Sequence, residues 1–160
     1  MPLFYKEKAG LTEFDIGLLL GLNGLLIFLF EMPLIKWLEN SKYSFSVLMM
    51  FGALITGLSF VILLFSYWIG IIIMGVLLMT LGEMIAFPFS NAYAMKRSKR
   101  GKQGQYMALY AVSFSVAHLI GHNLGLQLVS AFNFNFTWLF MSLLATVSAV
   151  LLVIMKKMNN

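Results

Sequence analysis

Apolar residues fall into five long runs, at roughly 16–36, 46–66, 68–94, 105–130 and 137–155, with short polar segments between them. A helix that crosses a bilayer needs about 20 mainly apolar residues, so each run predicts a spanning helix. Thr12-Glu13-Phe14-Asp15 reads as a helix start with an acid in the first turn, just ahead of the first run. Only Ser66-Tyr67-Trp68 separates the second run from the third, and Asn133-Phe134-Asn135-Phe136 separates the last two. Such tight connections make neighbouring helices antiparallel. The pattern predicts an all-α integral membrane protein, a five-helix transmembrane bundle forming a single domain over 1–160.

Composition agrees with that reading. Of 160 residues, 61% are hydrophobic and 11% are charged, against about a quarter charged in a soluble domain. A small globule cannot bury so much apolar surface, which makes the lipid bilayer the partner and the solvent. A net charge of +5 on its own would fit nucleic acid. Here the cations flank apolar runs, so membrane topology is the better reading and no nucleic-acid partner is expected. Cysteine is absent, which excludes disulfides and thiolate metal sites. Residues 1–10 are mixed in charge and the first apolar run is too long for a signal-peptide core.

The cations also set an orientation. Lys36, Lys42, Lys96, Arg97, Lys99, Arg100, Lys102, Lys156 and Lys157 fall on one side of the predicted bundle, and Lys6 and Lys8 on the other. The positive-inside rule then places the N-terminus outside and the C-terminus in the cytoplasm, as expected of a multi-pass protein of a bacterial inner membrane. Topology alone accounts for the run at 96–102, the competing reading being a site for nucleic acid or anionic lipid. Met1-Pro2-Leu3-Phe4-Tyr5 reads as the outer end of an earlier helix, and the chain as a piece of something longer.

Ionisable groups near the bilayer centre cost about 2.5–3.5 kcal/mol each and usually face protein or water. Counting 1.5 Å per residue, Glu83 falls within about 3 Å of the middle of its span. His118 is central in the next span, which runs the opposite way, so the two lie at similar depth and within possible reach. His122 is one turn further out, and Glu31 sits roughly 7 Å towards the cytoplasm from the centre of its own span. The fourth span carries a polar face of Ala111, Ser115, His118, His122 and Gly125, with Asn123 and Gln127 as an adjacent stripe. Thr80, Glu83, Phe87, Ser90 and Asn91 follow one side of the third span. The second and fifth spans hold no ionisable residue, which sorts them as lipid-facing and the others as buried or cavity-lining.

Glu83, His118, Glu31, Asn91, His122, Asn123 and Gln127 are therefore the candidates for substrate or proton coupling. Each has a structural alternative: Glu83 as a protonated acid bonded to a neighbouring helix, Glu31 paired with Lys36 or a loop cation, His122 in polar packing. His118 and His122 have zinc-pair spacing, but too few ligands accompany them, and no metal or cofactor is expected. Gly17, Gly21 and Gly24 on the first span and Gly121 and Gly125 on the fourth read as sites of close helix approach. Pro33 and Pro88 are expected to break or kink the cytoplasmic ends of their spans. No HExxH, GxSxG or phosphate-cradling loop is present, so no enzyme is expected.

Three stretches carry a resemblance. "IGLLLGLNGLLIFLFEMPLIKWLE" resembles the eighth helix of a major facilitator superfamily transporter running into its short cytoplasmic loop. "GEMIAFPFSNAYAMKRSKRGKQGQYMALY" is similar to the tenth helix, its basic loop and the entry to the eleventh, and "AHLIGHNLGLQL" to the eleventh. Many members have Gly-Pro where this chain has Gly121-His122, and the loop at Lys36–Lys42 matches the family's glycine-acid-basic signature only in Leu38 and Glu39. By this resemblance the chain corresponds to helices eight to twelve, most of the C-terminal half, without the N-terminal half and one further helix. The second and fifth spans then map to the lipid-facing ninth and twelfth helices, and Glu83 to the cavity-lining tenth.

The resemblance implies part of a secondary active transporter that moves a small-molecule substrate by alternating access and couples it to protons through Glu83, with His118 as a partner and an N-terminal transporter half completing the cavity. A truncated reading frame is the favoured origin, ahead of a split-gene product or a dimerising fragment. The alternatives are a small non-transporting protein that associates with partner helices, and a membrane-embedded metal binder or enzyme built on Glu83, His118 and His122.

Overall fold

The computed structural model describes residues 2–65, 67–98 and 101–158. It consists of α1 (Pro2–Glu7), α2 (Glu13–Glu39), α3 (Phe45–Ile62), α4 (Ile69–Arg97), α5 (Gln103–Ala131) and α6 (Phe134–Met158). No strand occurs among the described residues, while Ser66, Lys99 and Arg100 of the predicted connections lie outside them. α2, α3, α4 and α6 are each long and apolar enough to cross a membrane. α5 matches α4 at 29 residues, roughly 40 Å and enough for the hydrocarbon core. Its histidines, Asn123 and Gln127 leave it less apolar than the other four.

Local chemistry explains the ends. Thr12 caps α2 by a reciprocal box: its Oγ1 accepts from Asp15 N (3.2 Å), and Asp15 Oδ2 accepts from Thr12 N (3.0 Å). Gly10, at φ +66°, makes the left-handed turn between α1 and α2 that a side chain would disfavour. α3 stops at Ile62, short of the predicted 66, because Leu64 and Phe65 N–H turn back to Val61 and Ile62 carbonyls. Pro33 and Pro88 lie inside continuous helices and end neither of them.

α3 packs against both α4 and α6, α2 lies along α4, and α5 is held more loosely by α4 and α6. The closest approach is glycine on glycine. A Cβ on Gly52 would meet Ala86 N at 2.8 Å and Gly82 O at 2.9 Å, and one on Gly82 would meet Thr56 N and Gly52 O at 2.9 Å. Without side chains there, the α3 and α4 backbones touch, the usual means of tight packing in lipid. The glycines expected to do this do not: nothing comes within 4 Å of a Cβ on Gly17, Gly21, Gly24 or Gly121, and Gly125 meets only the tip of Met141. Spacing marks a small face but not whether a neighbour occupies it.

The sorting of helices by charge also needs correction. α3, without an ionisable residue, buries Ser46, Leu48, Gly52, Gly57 and Ser59, whereas polar α5 buries nothing. Small residues, rather than missing charges, decide which helix packs centrally in this chain. The core itself lies at the end away from the cation-rich loops. There α1 folds over α6, with Phe4 edge-on to Trp138 (5.0 Å), Phe134 (5.3 Å) and Tyr67 (5.8 Å).

Candidate functional site

Glu83 follows Gly82 on α4, so the glycine contact that seats α4 on α3 also fixes where the carboxylate leaves the helix. The residue is half-buried, and among the described residues its carboxyl makes no hydrogen bond or ion pair. Most of the rest of its stripe is engaged. Thr80 Oγ1 lies 2.8 Å from Asn23 Oδ1 on α2. Phe87 meets Phe114 of α5 edge-on at 5.4 Å, and Ser90 Oγ lies 2.7 Å from Tyr110 Oη. The stripe thus faces α2 on one side and α5 on the other, leaving Glu83 as its one ionisable member.

The two α4–α5 pairs run antiparallel, and the same register continued along both helices sets Glu83 level with His118. Among the described residues no hydrogen bond or ion pair joins them, and His118 is exposed. The level follows from counting along the spans, but a meeting does not; the α4–α5 ring contact and hydrogen bond lie at Phe87–Phe114 and Ser90–Tyr110.

Glu31 and Asn91 are brought together. Both line a cleft of about 630 Å³ between α2, α4 and α5, with Phe87, Pro88, Tyr110 and Phe114 in its walls. Lys36 does not pair with Glu31: the ion pair among the described residues is Lys6–Glu13, at 3.0 Å. Lys36 follows Ile35 of the cleft wall, and its side chain is exposed.

His122 lies apart from this cleft. It lines a second cavity, about 480 Å³ and mainly apolar, with Phe60, Met79, Leu126, Trp138 and Met141. Asn123 turns back on its own helix, Nδ2 donating to Leu119 O at 2.8 Å, and Gln127 is exposed on α5. No three His, Asp or Glu side chains converge among the described residues, so the suggested Glu83–His118–His122 metal set is not assembled.

Asn23 and Tyr110 were not singled out from sequence. An Asn inside an apolar run is the kind of signal that would have found Asn23. Tyr110, amphipathic and near the start of its span, resembles any interfacial tyrosine until its partner Ser90 is known.

A family profile, described as Major Facilitator Superfamily, matches residues 1–158. A curated "Na(+), Li(+), K(+)/H(+) antiporter" of Planococcus maritimus is 23% identical over 143 residues, which cover 89% of this chain and 33% of the antiporter. The chain thus spans about a third of the length of that relative. No solved structure matches it. With a family match over nearly its whole length and an all-helical, multi-pass membrane bundle beneath that match, the chain belongs to the Major Facilitator Superfamily of transporters.

Proposed function

We propose that the chain is the C-terminal portion of a secondary active transporter that exchanges a monovalent cation for a proton, with Glu83 as the exchanging group. The observation that carries this reading is the lone Glu83 carboxyl, half-buried in mid-span and without a partner among the described residues. An isolated carboxylate at that depth costs about 2.5–3.5 kcal/mol, and either a proton or a cation removes the charge. Alternate occupancy by one or the other is the elementary step of an antiporter. The activity for which the Planococcus maritimus relative is named supports this choice of substrate over a sugar, peptide or drug.

His118, level with Glu83, accepts or returns the proton through water when access changes. Glu31 and Asn91, in their cleft with Tyr110, form a station for the cation between Glu83 and the cation-rich face. The exposed faces of α2 and α5, with their unoccupied glycines, are where an N-terminal half would pack and rock in alternating access. On this reading the N-terminus is outside and the C-terminus cytoplasmic.

The experiment is cation-driven proton exchange by the full transporter in proteoliposomes. Glu83→Gln abolishes exchange at normal expression, and Glu83→Asp retains part of it. Wild-type exchange in Glu83→Gln would remove the proposal.

A further inference from the structure

Lys96 and Arg97 from the end of α4 and Lys156 from the end of α6 line one open cleft of about 460 Å³, together with Tyr43, Ser44, Phe45, Ser46 and Tyr93. No acidic residue lines it, and among the described residues neither Lys96 nor Lys156 forms an ion pair. The floor is the start of α3. Its N-cap, Ser44, makes no capping bond with its side chain, and Val47 N–H is already bonded to the Ser44 carbonyl, so the Ser44 hydroxyl and the N–H groups of Phe45 and Ser46 are available to an acceptor. A helix N-terminus, three cations and several hydroxyls therefore address the same space, and each favours an anion.

The walls are held rather than merely nearby. Arg97 Nε donates to Tyr93 Oη at 3.0 Å, with its guanidinium over the Tyr93 ring at 5.5 Å. Lys96 Nζ lies over the Phe45 ring at 5.4 Å, within the range of a cation–π contact. These contacts point two long side chains along the cleft, which lowers the entropy lost on binding.

We propose that this cleft binds the phosphate of an anionic phospholipid headgroup. Its place at the ends of three membrane helices sets it at headgroup depth, where lipid phosphate far outnumbers any soluble anion.

The test uses purified protein in neutral detergent, titrated with phosphatidylglycerol, phosphatidylcholine or inorganic phosphate and read by native mass spectrometry and thermal shift. Phosphatidylglycerol binds and raises the melting temperature, phosphatidylcholine does not, and phosphate competes only at far higher concentration. Lys156→Gln weakens phosphatidylglycerol binding roughly five-fold, and Lys96→Gln with Lys156→Gln about twenty-fold or more. Lys156 is exposed in the last turn of α6, so its single variant carries the test if the double variant folds poorly. Lys42→Gln with Lys102→Gln, which removes the same charge outside the cleft, leaves affinity within about two-fold of wild type. Equal loss in that control would reduce the effect to surface charge and overturn the site. Equal binding of phosphatidylcholine, or of free phosphate without preference for lipid, would also overturn it.

Discussion

Gly52 of α3 and Gly82 of α4 face each other so closely that a methyl on either would sit 2.9 Å from the other's carbonyl oxygen. Besides the Thr56 hydroxyl and the Ala86 methyl, the neighbouring atoms are backbone, which cannot swing aside as a long side chain can. Gly52→Ala or Gly82→Ala therefore forces the helices apart, at a cost of about 1–3 kcal/mol. Gly21→Ala, with nothing within 4 Å of the new Cβ, leaves stability unchanged or slightly raised through helix propensity. Thermal unfolding of the three variants in detergent checks the contrast. Equal stability of all three would show that α3 and α4 do not meet at these glycines.

That contrast also marks what was legible in the sequence. The apolar runs coincide with five long helices, four of them apolar enough to cross a membrane, because a run of apolar residues has one inexpensive conformation in lipid. Tertiary choices were less readable. The triplet of glycines on α2 has better spacing than Gly52 and Gly57 on α3, yet it is the α3 pair that meets a neighbouring helix. Glu83 could be placed at mid-depth and level with His118 by counting residues, whereas the distance between them depends on how α5 leans from α4. Glu31 and Asn91 were candidates for separate reasons, and nothing in their spacing brought them to one cleft.

The hydrogen bond between Ser90 and Tyr110, at 2.7 Å, is the polar tie between α4 and α5. Bonds of this kind within membranes average about 0.6 kcal/mol in double-mutant cycles. A cycle on Ser90→Ala and Tyr110→Phe, followed by denaturation in mixed micelles, is expected to give a coupling energy of that order. Zero coupling would mean that the two helices do not hold this register.

Burial of α1 rests on Phe4, which is fully buried among Tyr67, Phe134 and Trp138. Phe4→Ala removes the ring at the centre of three edge-on contacts, and core truncations of this type cost about 3–5 kcal/mol. The expected outcome is a lower unfolding midpoint, with faster proteolysis near Gly10, whereas Leu3→Ala, on the exposed side, has little effect.

The chain has no cysteine, so single introduced cysteines report sidedness without background. The asymmetry of Lys and Arg predicts that Lys8→Cys is labelled by a membrane-impermeant maleimide in intact cells, and that Lys102→Cys is labelled only after lysis. The opposite pattern would invert the topology, and with it the leaflet assigned to the lipid site.

Glu31 tests the cleft separately from the exchanging group. If it serves as a station for the cation, Glu31→Gln raises the KM for cation several-fold while kcat stays close to wild type, since binding and not the exchange step is altered. Loss of kcat alone would place Glu31 in the exchange chemistry.

The most direct measurement follows protons released on cation binding by the full transporter in weakly buffered detergent solution. If Glu83 holds either a proton or a cation, added Na⁺ releases protons from the wild type and none from Glu83→Gln, with both proteins equally folded. Undiminished proton release from Glu83→Gln would contradict the assignment of Glu83 as the exchanging group.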